Sequence, residues 1–118
     1  MHWLELMKLD HVAVLSTDID ESVKWYKKIW DDTKVLYRDN TLAFLESEGS
    51  KIAFVTPKQH PPHIAFRVES EEQEDFLNTM FPNHGWKLHR DGSKSFYAKD
   101  TSGNFVEFIK YEEVKKEN

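Results

Sequence analysis

The chain has no cysteine, which excludes disulfides, thiolate metal sites and a cysteine nucleophile. Glycine and proline number four each in 118 residues, too few for a collagen-like or low-complexity chain. No apolar run approaches the ~18 residues that a membrane span requires, and residues 1–9 show no signal-peptide pattern. Basic residues are outnumbered, 16 Lys and Arg against 21 Asp and Glu, for a net charge of -5. No Lys/Arg cluster is dense enough to neutralise a run of phosphates, so nucleic acid is not an expected partner. A cytoplasmic protein that touches neither membrane nor nucleic acid is the expectation.

Aromatic residues are plentiful, with eight Phe and four Trp, and hydrophobic residues make up 39% of the chain. That is enough to build a core despite the high charged fraction, and the length suits one domain spanning residues 1–118.

The sequence repeats itself. His11-Val12-Ala13-Val14 returns as His63-Ile64-Ala65-Phe66, each a His followed by β-favouring residues and then an acidic helix start. Ser16-Thr17-Asp18 offers N-caps for a helix over Ile19–Trp30, with Ile19, Val23, Tyr26 and Trp30 on one stripe. Ser70 caps a second helix over Glu71–Phe81, whose acidic first turn suits the helix dipole and whose apolar face is Phe76, Leu77 and Met80. Strand-like runs follow each helix: Lys34–Arg38, Thr41–Ser47 and Lys51–Thr56, then Trp86–Arg90, Ser93–Lys99 and Phe105–Tyr111. Turns are expected at Asp39-Asn40, Gly49-Ser50, Asp91-Gly92 and Thr101-Ser102-Gly103. Each half therefore reads β-α-β-β-β, as modules 8–57 and 62–112 with short terminal extensions. Residues 58–61 form the linker, where Pro61-Pro62 cannot donate to a ladder.

The repeat aligns Ile52-Ala53-Phe54-Val55 with Val106-Glu107-Phe108-Ile109. Strand alternation puts residues 53 and 107 on the face opposite their apolar neighbours, and puts His11 with Ala13 and His63 with Ala65. A pseudo-twofold between the halves would gather positions 11, 53, 63 and 107, of which three are His, His and Glu and the fourth is Ala53. Two imidazoles and one carboxylate with open positions suit Mn, Fe(II), Co, Ni or Zn better than Ca, which prefers oxygen shells. A lone His at a strand start is commonly a structural residue. Glu107 between Val106 and Phe108 is costly unless paired, metal-bound or facing water. His2, His60, His84 and His89 are not assigned as ligands.

These stretches resemble the vicinal oxygen chelate superfamily, which includes glyoxalase I, bleomycin-resistance proteins, extradiol dioxygenases and fosfomycin-resistance enzymes. The resemblance rests on Leu9–Val14, on Ser22-Val23-Lys24-Trp25-Tyr26, on Pro62–Phe66, and on Ser95–Asp100 through Gly103–Glu107. The last is similar to an Asp-Pro-x-Gly-x-x-x-Glu signature, with Thr101 in place of Pro. It implies an α+β fold of two paired βαβββ modules forming an incomplete barrel around a metal. It also implies a homodimer with shared sites, His11 from one chain and His63 with Glu107 from the other.

Bacterial glyoxalase I has a carboxylate where this chain has Ala53. Fosfomycin-resistance enzymes use three ligands, and Gly92–Tyr97 is similar to their loop and strand. By that resemblance Tyr97 is the candidate catalytic hydrogen-bonding residue, and Lys87 and Arg90 are candidate substrate contacts. Ala13, Asp91 and the lack of an arginine after Glu107 depart from that group. The expected function is a metal-dependent lyase or transferase acting on a small oxygen-rich molecule. The alternative is a metal-free drug-sequestering protein, stacking its ligand on Trp25, Trp30, Tyr37 or Trp86.

Overall fold

The computed structural model describes residues 7–89 and 92–111. The elements run β1 (Lys8–Leu15), α1 (Ile19–Ile29), β2 (Lys34–Arg38), β3 (Leu42–Ser47), β4 (Ser50–Val55), β5 (His63–Arg67), α2 (Glu71–Met80), β6 (Lys87–Leu88), β7 (Lys94–Lys99) and β8 (Phe105–Lys110). Each half is thus β-α-β-β-β, as the repeat requires. The chain divides into two compact units, one of residues 10–65, the other of the described residues from Phe66 onward with those up to Leu9. The division falls inside β1 and β5 rather than in the 58–61 linker, because each of those strands begins in one unit and ends in the other.

In the first unit the strands lie in the order β2-β3-β4-β1, followed by the start of β5. β1 and β4 run parallel with Ala13 opposite Ala53, and β3 and β4 run antiparallel with Phe44 opposite Ala53. Ser47 pairs with Ser50, so the hairpin turn is Glu48-Gly49 rather than Gly49-Ser50. Both turn residues have positive φ, 52° and 87°. That is the two-residue turn that matches strand twist, and glycine adopts its second position without strain.

Helix α1 starts at Asp18, whose carboxylate accepts the Glu21 backbone N–H at 3.1 Å. Asp20 and Glu21 open it, and Lys27 and Lys28 close it, both favourable with the dipole. It ends one residue earlier than expected, with the Trp30 N–H bonded to the Tyr26 carbonyl at 2.8 Å. The expected stripe forms the core: Ile19 and Val23 are buried against Ala43, Leu45 and Phe54, with Tyr26 and Trp30 packed alongside. Truncating Leu45 or Phe54 there would cost about 2–5 kcal/mol.

In the second unit the end of β5 leads an order β5-β8-β7-β6. Ser70 caps α2 by accepting the Gln73 N–H at 3.1 Å, and Gln73 Oε1 accepts the Glu69 N–H at 2.7 Å. This corrects the expected apolar face. Phe76 and Met80 are 42% and 56% exposed, and the buried residues of α2 are Gln73 and Leu77. The inward stripe is 73-77-81 at i, i+4 spacing, because Gln73 is committed to the helix start and Phe81, the C-cap, packs against the core. Leu77 joins Val68, Phe96 and Phe108, with Phe66, Phe81, Trp86 and Val106 around them. Strand β6 begins one residue later than expected, since Trp86 packs against this core with its ring 4.8 Å from Phe96 and its Nε1 donating to Asn78.

Glu74 reaches from α2 to β7 and β8, accepting from Lys94 at 2.7 Å and from Lys110 at 2.8 Å. The two lysines are directly opposite in the ladder. The hydrogen bonds from Lys110 and then Lys94 hold the Glu74 carboxyl below its ordinary 4.5. A depressed carboxyl contributes stability that is fully present above the unfolded value and lost as pH falls through the folded one. Glu74→Gln is expected to cost about 1 kcal/mol at neutral pH by leaving two like charges opposed. The loss should shrink below pH 4.5, which urea unfolding at neutral pH and at pH about 3 would check.

Candidate metal centre

The buried course of β1 opens with Asp10 and His11, and that of β5 with His63. His11 and His63 are 4% and 8% exposed, and Ala13 and Ala65 beside them are small and closed to solvent. Within the first unit His11 Nε2 lies 3.4 Å from His63 Nε2, the rings crossing at 75°.

The opposite nitrogens of the two rings set the tautomers. His11 Nδ1 is 2.7 Å from Asp10 Oδ2, and His63 Nδ1 is 2.8 Å from the Pro61 carbonyl oxygen. A carboxylate and a carbonyl only accept, so both Nδ1 atoms donate. In the neutral rings both Nε2 atoms then carry lone pairs, and those lone pairs converge. Two acceptors at that separation repel unless a cation comes between them. The donor set therefore fits a divalent metal, which imidazole binds through such a nitrogen. The resemblance implied His11 and His63 from different chains; here the two imidazoles meet within one chain.

Ala53 stands on the same face as Ala13, in a small cluster with Val55 that Leu42 and Phe44 close. Phe44, cross-strand from Ala53, presents its ring to His11 at 5.3 Å and 87°. The position where a fourth ligand would stand is thus walled by a phenyl ring.

In the second unit Glu107 lies on β8 between core residues and is 6% exposed, which excludes the open-water reading of its side chain. Tyr97 is its cross-strand partner on β7. Burial first, and the Glu107 carboxylate second, push the Tyr97 phenol far above its ordinary 10.0, so it stays a neutral hydroxyl donor. Phe96 belongs to the core, and Tyr97, next to it on β7, projects from the other face. Ser95 shares that face, and Lys87 is opposite Ser95 in the ladder and exposed. Arg90 lies outside the described residues, as does Asp91.

Sequence reading gave His89 no role. Its Nε2 is 2.8 Å from Ser95 Oγ, on the Tyr97 side of β7, and the His89 N–H donates to the Ser93 carbonyl at 2.7 Å. His84 stacks on Phe96 at 3.7 Å and is a packing residue. His60 lies in the turn after β4, its N–H bonded to the Thr56 carbonyl at 3.5 Å. Asp10 and Phe44 were also missed. Asp10 stood within the Leu9–Val14 motif, so its adjacency to His11 was visible, whereas the approach of Phe44 required the β3–β4 register. Of the four aromatics considered for stacking, Trp30 and Trp86 are committed to the cores, while Trp25 and Tyr37 are 57% and 46% exposed.

No protein-family model matches the sequence, and no curated protein matches it. Solved structures do. Methylmalonyl-CoA epimerase from Mycobacterium tuberculosis aligns over 96% of this chain and 94% of its own, with 17% identity and a TM-score of 0.71. A glyoxalase/bleomycin resistance protein/dioxygenase superfamily member from Vibrio splendidus 12B01 aligns over 89% of this chain and 99% of its own, at 14% identity and TM-score 0.63. A Mn(II)-bound glyoxalase from Novosphingobium aromaticivorans aligns over 87% of this chain and 37% of its own, at 19% identity and TM-score 0.66. The chain therefore has the glyoxalase/bleomycin resistance/dioxygenase fold, as its motifs led one to expect, and these likenesses establish the fold alone. Among the described residues no helix is long and apolar enough to cross a membrane.

The tautomer assignment has a direct check. In the metal-free protein, long-range 1H–15N spectra are expected to show protons on Nδ1 of both His11 and His63. An unprotonated Nδ1 on either ring would contradict it.

Proposed function

We propose that the protein is a divalent-metal-dependent lyase or transferase, of the glyoxalase or fosfomycin-resistance type, acting on a small oxygen-rich molecule. In this reading His11, His63 and Glu107 hold one ion per site, drawn from Mn, Ni, Co, Zn or Fe(II). The observation that carries it is the convergence of two Nε2 lone pairs whose rings are both anchored through Nδ1. Glu107 supports it as a third buried residue with a ligand atom to offer. The Mn(II)-bound state of one structural neighbour is consistent with the same chemistry. Ala53 leaves the set at three, with positions open to water or substrate.

When bound, the ion would act as a Lewis acid on a substrate oxygen that gains negative charge. Two neutral imidazoles and one carboxylate carry a single negative charge, so the loaded site retains a net positive charge that suits an anionic or enolising substrate. Tyr97 holds its proton and donates a hydrogen bond to a substrate oxygen. Lys87 and Arg90 attract the substrate's anionic end. Phe44 excludes water from one flank of His11. We further propose a homodimer; the His11–His63 pairing within one chain means that the dimer need not exchange those two ligands.

Purified untagged protein should retain roughly one divalent ion per chain. His63→Ala or Glu107→Gln should abolish retention, and Tyr97→Phe should leave it intact while lowering turnover about 10- to 1000-fold. Fosfomycin with thiols and methylglyoxal–thiol adducts are the first substrates to screen. Wild-type protein that takes up none of Mn, Ni, Co or Zn would overturn the reading and favour metal-free sequestration. Sedimentation at micromolar concentration should give a dimer, and a monomer would overturn that part of the proposal.

A further inference from the structure

Resting on His11 as a metal ligand, we infer that Asp10, itself held by Lys51, is a positioning residue that fixes His11 as the stronger donor of the histidine pair. The Asp10 side chain is wholly shut off from solvent and divides its two oxygens. Oδ2 accepts from His11 Nδ1 at 2.7 Å, and Oδ1 is 3.3 Å from Lys51 Nζ, whose side chain is only 18% exposed. Lys51 reaches Asp10 from β4, one residue before the Ile52 that pairs with Val12 of β1.

The chemistry of the two anchors differs. The Pro61 carbonyl behind His63 is neutral. The carboxylate behind His11 is an anion, and an anion on Nδ1–H raises electron density at Nε2 and so strengthens it as a donor. A buried carboxylate with no counter-charge would be costly, and one free to rotate would not aim at Nδ1. Lys51 answers both needs: its ammonium compensates the charge and occupies one oxygen, leaving the other for the ring. The two histidines occupy equivalent positions of the repeat, yet the residue before His63 is Pro62, which has no carboxylate to offer. The ligand set is therefore unequal by construction, with the ring orientation and donor strength of His11 depending on a residue that would not itself touch metal or substrate.

The test is calorimetric titration of Co(II) and Zn(II) into the full chain, with the visible spectrum of the Co(II) form and melting of the metal-free protein. Asp10→Asn should weaken both ions about 10- to 100-fold and shift the Co(II) bands. Lys51→Met should weaken them by a smaller factor, and Lys51→Arg, which keeps a donor to Asp10, should restore most of the affinity. Unchanged affinity and bands in Asp10→Asn, with only the metal-free melting temperature lowered, would give Asp10 a purely structural role and overturn the inference. Should Asp10→Asn not fold, the Lys51 pair decides: equal affinity in Met and Arg variants overturns it. Wild-type protein that binds neither ion defeats the metal reading itself, an outcome separate from either of these.

Discussion

The facing nitrogens of His11 and His63 are the constraint on which the rest of the site depends. Ring nitrogens 3.4 Å apart would ordinarily share one proton, one ring donating to the other. Here each ring already carries its proton on the far nitrogen, Nδ1, and donates it to Asp10 or to the Pro61 carbonyl. The linker prolines thereby acquire a purpose beyond interrupting the ladder. A residue before proline is held extended, so the Pro61 carbonyl points in a fixed direction, two residues before the ring that uses it. Asp10 does the same for β1 through a side chain, braced by Lys51. Two unlike devices produce the same tautomer at equivalent positions.

Duplication supplied the scaffold, and divergence supplied the chemistry. The register makes Phe44 opposite Ala53 the counterpart of Tyr97 opposite Glu107. One module carries phenyl and methyl at these positions; the other carries phenol and carboxylate. Leu42 and Ser95 repeat the contrast, since they pair with Val55 and Ile109. The 10–65 unit is thus apolar around its histidines, while the face of β7 and β8 that bears Glu107 is polar, with Ser95, Tyr97 and the His89–Ser95 hydrogen bond.

Much of this was legible in the sequence because strand alternation is a strict period-two rule. The assignments of residues 11, 13, 53 and 107 to faces needed only that rule and the repeat, and the clusters around Ala13 with Ala53 and around Phe54 follow it. The α1 stripe was equally clear, since every third or fourth residue is large and apolar. The α2 stripe misled because hydrophobicity favours Phe76 and Met80, whereas a polar residue, Gln73, takes the buried place through its hydrogen bond to the Glu69 N–H. The anchors of the histidine rings were hidden for a different reason. A hydrogen bond from Nδ1 to a neighbouring carboxylate or carbonyl depends on backbone direction, which residue type does not encode. Lys51 could not be linked to Asp10 without the parallel β1–β4 pairing.

A structural role for the two histidines is the serious rival, and energetics weighs against it. Asp10, His11 and His63 are all buried polar groups. Apolar replacements of similar volume are often neutral or stabilising where a buried charged network serves folding alone. Burying three such groups to join β1, β4 and β5, strands already held by backbone ladders, gains little stability. A purely structural pair would also leave one Nε2 protonated and donating to the other. Between neutral rings that would require one Nδ1 to turn acceptor, which Asp10 and the Pro61 carbonyl do not allow; otherwise the pair must carry the extra charge of an imidazolium beside Asp10. Neutral rings anchored in this way turn two donor lone pairs toward each other, and the pair is at rest only with a positive charge between them. On the proposed reading a bound divalent ion supplies that charge, and the two anchored rings are its donors.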